Sequence, residues 1–84
     1  MVLATFYNRT QALQFSNQLS GMGVRVKVIN TPREISTSCG LSIMFDLKAL
    51  AKARVVINSN KFVAFKGFYI KKNNGHMYYY EKTN

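Results

Sequence analysis

Val24-Arg-Val-Lys-Val-Ile-Asn-Thr-Pro-Arg-Glu-Ile-Ser-Thr-Ser-Cys-Gly-Leu-Ser-Ile-Met-Phe45 carries two strand patterns on either side of a short polar loop. Val24, Val26 and Val28 alternate with Arg25 and Lys27, which predicts a half-buried strand with a basic outer face from Val24 to Ile29. Leu41, Ile43 and Phe45 alternate with Ser42 and Met44 and predict the next strand. The joining segment, Thr31 to Gly40, holds the only proline and the only cysteine of the chain. Thr31-Pro32-Arg33-Glu34 fits a capping box, with Pro32 at the first helical position, where its missing N–H costs nothing. A single helical turn is expected there. The poor helix formers Ser36-Thr37-Ser38 end it. Gly40 follows Cys39 and can adopt backbone angles closed to other residues, so a sharp turn beside the sulfur is expected.

Helices are predicted on both sides of this pair. Upstream, Val2 to Tyr7 alternates as a strand, with Val2, Ala4 and Phe6 on one face. Asn8 then offers an N-cap, with Gln11 completing a second capping box. Ala12, Phe15, Leu19 and Met22 recur at helical spacing until Gly21 and Gly23 stop the helix. Downstream, Asp46 caps a helix from Leu47 to about Ile57, and Asn58-Ser59-Asn60 turns the chain. Lys61 to Phe65 reads as a strand, Gly67 as a bulge or bend, and Phe68 to Lys71 as its continuation. Asn73-Asn74-Gly75 signals a type I′ hairpin turn into His76–Tyr80. The order β-α-β-β-α-β predicts an α+β, ferredoxin-like sandwich: an antiparallel sheet of order 4-1-3-2 with two helices on one face and a C-terminal hairpin extension. One domain is expected, with a core over residues 1–72 and a return strand and tail over 73–84.

Composition narrows the function. The chain has 84 residues, 48% of them hydrophobic, which excludes a disordered polar chain. A single cysteine allows no internal disulfide, and no Cys/His spacing points to a metal or a cofactor. The start, Met1 to Tyr7, has neither the basic region nor the length of a signal or membrane segment, so a reducing cytoplasm is the expected compartment. Twelve Lys and Arg against Glu34, Asp46 and Glu81 leave a net charge of +9. Such an excess favours anionic partners and the thiolate form of an exposed cysteine.

Topology then places the thiol. Strand 3 pairs with strand 1, so Cys39 and Gly40 are expected beside Tyr7 and Asn8, at the N-terminus of the first helix. Unpaired N–H groups at Asn8 to Thr10, the helix dipole, Arg9 and Arg33 would all favour a thiolate. Half ionisation of a thiol of pKa about 8.5 at neutral pH needs a shift worth ~2 kcal/mol. An exposed helix end supplies ~0.3–1 kcal/mol, so the helix alone falls short and an arginine is needed as well.

The segment from Thr31 to Phe45 resembles the putative selenium/sulfur carrier-like family of small bacterial domains, otherwise described as a domain of unknown function. The family pattern runs from a strand through a Thr-Ala helix into a Pro-Arg-x-x-Ser-x-x-Cys-Gly loop. Here those positions are Thr10, Ala12, Gly23, Pro32, Arg33, Ser36, Cys39 and Gly40. The resemblance covers residues 1–57, with a weaker match to about 70. It implies that Cys39 carries sulfur or selenium as a persulfide or perselenide, a carrier or transferase-like role rather than that of a true enzyme. Arg33, Gly40, Arg9, Asn8, Thr10 and Ser38 would support the anion, with Thr31, Pro32 and Glu34 as structural caps. No cofactor or metal is called for, and an acidic protein is the expected donor or acceptor.

Two alternatives stand beside this reading. One is a nucleic-acid-binding module using Tyr69, Tyr78, Tyr80 and Lys71 on the sheet. The other is a structural protein with an inert cysteine, dimerising through its C-terminal hairpin.

Overall fold

The computed structural model describes residues 1–35 and 40–83. It is α+β, with two helices and one five-stranded antiparallel sheet. The elements are β1 (Val2–Phe6), α1 (Arg9–Gly21), β2 (Lys27–Asn30), β3 (Leu41–Phe45), α2 (Leu50–Ser59, entered through a 3-10 turn at Leu47–Ala49), β4 (Phe65–Asn74) and β5 (Met77–Thr83). The strand order is β2-β3-β1-β4-β5.

One sheet face is apolar and carries both helices. Val2, Ala4 and Phe6 of β1 pair across to Phe45, Ile43 and Leu41 of β3, and all six are buried. Ala12, Phe15 and Leu19 of α1 and Ala53 and Val56 of α2 close over them as a single core. All six phenylalanines join in one chain of ring contacts, from Phe45–Phe68 and Phe65–Phe68 through Phe6 to Phe15 and Phe62. Tilted and edge-on pairs of this kind add ~0.5–1.5 kcal/mol each beyond burial. They fix the end of β1 against the start of β4, and so define the end of the sheet where the cysteine motif returns.

The helix-free face is built differently. In the middle of the sheet, Leu3 and Thr5 of β1 and Ser42 of β3 are almost fully buried. The hydroxyls of Thr5, Ser42 and Thr31 form a continuous chain, with Oγ–Oγ distances of 3.1 and 2.9 Å. A buried hydroxyl is stable there because each has a partner. This chain ties the end of β2 to the central strands.

Several local expectations change in detail. Thr31 directs its hydroxyl to Ser42, and the segment after it closes as a turn in which the Ile35 N–H donates to the Pro32 carbonyl at 3.0 Å. A tertiary hydroxyl pair thus replaces the local cap. At α1 the Asn8 side chain does cap, accepting from the Gln11 N–H at 3.0 Å. Gln11, however, accepts from the Ala64 N–H at 2.9 Å, pinning the α2–β4 connection instead of completing a capping box. Asp46 caps as expected, accepting from the Lys48 N–H. Strand β2 begins at Lys27 rather than Val24, and β4 at Phe65 rather than Lys61, after a turn closed from the Phe65 N–H to the Phe62 carbonyl. The hairpin loop is Gly75-His76, between the paired Asn74 and Met77. Gly75 has φ +71° and among the described residues no non-glycine residue has positive φ, so the loop follows the type II′ rather than the type I′ pattern. The hairpin runs on past the start of β1, where the Lys71 N–H bonds the Met1 carbonyl. Among the described residues no helix is long and apolar enough to cross a membrane.

Candidate functional site

Cys39 and Ser38 lie outside the described residues, so the site is built from what surrounds their place in the chain. Gly40 is half-buried at the mouth of β3, and its carbonyl accepts from the Thr31 N–H at 3.1 Å. A Cβ on Gly40 would stand 2.6 Å from the carbonyl oxygen of Phe6 and 3.4 Å from Thr31 Oγ1. The glycine is therefore needed for space. Its φ is not positive, so the expected special backbone angle is not the reason. Two backbones approach too closely here for any side chain.

That close approach brings the Cys-Gly motif's glycine against the end of β1 and the start of α1. Tyr7, Arg9, Asn30, Gly40 and Leu41 line a shallow cleft of about 230 Å³. Tyr7 and Arg9 are exposed, Asn8 and Thr10 likewise. The Asn8 side chain takes up the Gln11 N–H, so the N–H groups of Arg9 and Thr10 remain at the open end of the helix. Chain direction and dipole therefore set a positive end beside Gly40.

Of the predicted residues, the structure brings Gly40, Arg9 and the α1 N-terminus together. Arg33 and Glu34 are exposed on the turn after Pro32 and do not line this cleft. The Glu34 carboxylate instead makes itself felt on β5. The Tyr80 phenol is raised above its ordinary value of 10.0, first by burial and then by Tyr78 and Glu34.

One residue at this end escapes the sequence reading. Tyr7 lines the cleft, and Lys66 holds its ammonium 4.4 Å from the centre of the Tyr7 ring. The cause is the bulge at Gly67. Thr5 pairs with Gly67 and Phe6 with Phe65, which leaves Lys66 as the extra residue on β4. A bulge re-aims such a side chain. The sequence signal is Gly67 itself, expected as a bulge or bend, but nothing in the spacing encodes the redirection of its neighbour. Lys66 thereby belongs to the Gly40 end. A larger cleft of about 500 Å³ lies beyond it, between α2 and the end of β5, lined by Arg54, Lys66, Lys82, Phe65 and Phe68 among others. It contains none of the motif residues, so the smaller cleft is the better candidate.

The family model "Putative Se/S carrier protein-like" matches residues 1–70. The chain belongs to this family. The matched region ends where β1 ends its pairing with β4, at Val2 opposite Ile70. The protruding part of the hairpin, and β5 with it, lies beyond the match. No curated protein and no solved structure matches the chain.

Proposed function

We propose that the protein is a sulfur or selenium carrier, and that Cys39 holds the chalcogen at the Gly40 end of a ferredoxin-like βαββαβ core. The observation that carries this reading is the close approach of Gly40 to Phe6, which joins the motif to the cleft of Tyr7, Arg9 and the α1 N-terminus. Family membership supplies the chemistry. In the forward step the Cys39 thiolate attacks the outer sulfur of a donor persulfide. A new S–S bond forms on Cys39, the donor's S–S bond breaks, and the donor leaves as a thiolate. In the return step a nucleophile of the acceptor attacks that outer sulfur, and Cys39 leaves as thiolate. No external oxidant or reductant is needed. A donor carrying selenium would follow the same course.

Arg9, with the N–H groups of Arg9 and Thr10, supports the anionic sulfur in both states. Lys66 beside Tyr7 adds positive potential, and Arg33 contributes from the turn. The same charge favours docking of an acidic donor or acceptor protein. Ser38 and Gly40 would flank the loaded sulfur, the glycine allowing the close approach to Phe6 that sets the motif beside the cleft. The test is intact mass measurement after incubation with a cysteine desulfurase and cysteine. One added sulfur atom is expected, removed by a thiol reductant and absent in Cys39→Ser. An unchanged mass, or an addition that survives in Cys39→Ser, would overturn the proposal.

A further inference from the structure

The β4–β5 hairpin is two-sided in charge. Lys72, Tyr79, Ile70 and Glu81 share the side that continues the core face, and Lys72 and Glu81 pair there at 3.3 Å. The opposite side carries Tyr69, Lys71, Tyr78, Tyr80 and Lys82. Neither hairpin strand places an acid on that side. Lys71 holds its ammonium 4.2 Å from the centre of the Tyr78 ring, and Tyr78 meets Tyr80 edge-on at 5.9 Å. The Lys82 side chain passes beside Gly67, where a Cβ would stand 2.8 Å from its Cε, and it also lines the cleft next to α2. From Tyr78 to Lys82 the strand presents rings and ammonium groups over ~13 Å at ~3.3 Å per residue. Glu34 adds to the raised value of the Tyr80 phenol on this face, after burial and Tyr78.

We infer that this face binds single-stranded nucleic acid, with bases stacking on Tyr78 and Tyr80 and phosphates drawn to Lys71 and Lys82. The charge complementarity is to a polyanion. Three tyrosines interleaved with the lysines select one that has flat apolar faces between its charges, as an unpaired strand does and an acidic peptide does not. The middle of the helix-free face is covered at Leu3, Thr5 and Ser42, so splayed bases, which a duplex does not offer, would lie on its exposed hairpin end around Tyr78. This activity does not depend on the carrier chemistry, since none of its residues belongs to the Gly40 cleft.

The test is fluorescence anisotropy of the full chain with a labelled ten-nucleotide oligouridylate, a ten-base-pair DNA duplex and polyglutamate. The single strand is expected to bind more tightly than either of the others, with affinity falling as salt rises. Tyr78→Ala is expected to weaken it by about tenfold, the loss of one stacked base. Lys71→Gln should weaken it and lower the salt slope, Glu34→Gln should strengthen it, and Tyr79→Ala on the opposite side should leave it unchanged. Cys39→Ser should also bind as wild type, which separates this site from the carrier function. Tyr78 is half-exposed, and thermal denaturation checks that its variant is folded. Equal binding of polyglutamate would assign the surface to an acidic protein instead. Absent binding, equal binding of the duplex, or indifference to Tyr78→Ala would overturn the inference.

Discussion

Gly40→Ala separates a steric role for the motif glycine from a conformational one. The new Cβ would lie 2.6 Å from the Phe6 carbonyl oxygen, well inside van der Waals contact. Neither partner yields easily. Phe6 is fully buried, its ring fixed among Phe15, Phe62 and Phe65, and its backbone is paired to Leu41. Forcing a methyl group into such a place costs ~1–3 kcal/mol. Against that, replacing glycine at a position without positive φ recovers ~0.4–1 kcal/mol by restricting the unfolded chain. The net expectation is a loss of about 1–2 kcal/mol, or a fall in Tm of ~5–15 °C for a domain of this size. Thermal and urea denaturation followed by circular dichroism measure it. Gly21→Ala is the internal control: nothing lies within 4 Å of its Cβ and its φ is ordinary, so it should stabilise by ~0.4–1 kcal/mol. A Gly40→Ala protein as stable as wild type would refute the close approach on which the site is built.

Other expectations concern the hydroxyl chain, the α1 cap, Tyr80 and the thiol. Ser42→Ala removes the shared partner of Thr5 and Thr31 and leaves the buried Thr5 hydroxyl without its bond, costing about 1–3 kcal/mol in the urea midpoint. Asn8→Ala loses the α1 cap and about 1 kcal/mol, read the same way. Spectrophotometric titration should show Tyr80 ionising above the ordinary 10.0, and closer to it in Glu34→Gln. Because the folded chain holds this proton more tightly than the unfolded one, the associated stability is complete below pH 10 and is lost as pH rises through the raised value. The rate of Cys39 alkylation against pH should reach its midpoint below ~8.5 and move upward in Arg9→Ala. A midpoint unchanged by that substitution would remove Arg9 from the site.

What the sequence makes legible here follows from periodicity. Val2, Ala4 and Phe6, then Leu41, Ile43 and Phe45, alternate because one face is buried, and Ala12, Phe15 and Leu19 recur because a helix covers that face. Asn8 and Asp46 could be read as caps because their partners are two or three residues away. Long-range partners are not written in this way. Thr31 and Gln11 match local capping patterns, yet Ser42 and the Ala64 N–H claim their side chains, since a buried hydroxyl or amide N–H costs more unpaired than an exposed helix start does. Lys66 reaches Tyr7 through a register shift that the spacing of residues does not encode. The need for glycine at position 40 is likewise tertiary, arising from the Phe6 carbonyl of another strand. The motif points to the place, and the neighbouring strand supplies its geometry.

The most direct test of the carrier account is the rate of sulfur transfer in a single turnover. A desulfurase charged with its own persulfide is mixed with the protein, quenched at intervals, and the persulfidated fraction read by intact mass. Free cysteine at equal concentration serves as the reference acceptor. Cys39 should be loaded faster than free cysteine, and the advantage should shrink when Arg9 and Lys66 are both neutralised. Loading no faster than free cysteine, or unaffected by those two charges, would contradict a chalcogen site at the Gly40 end.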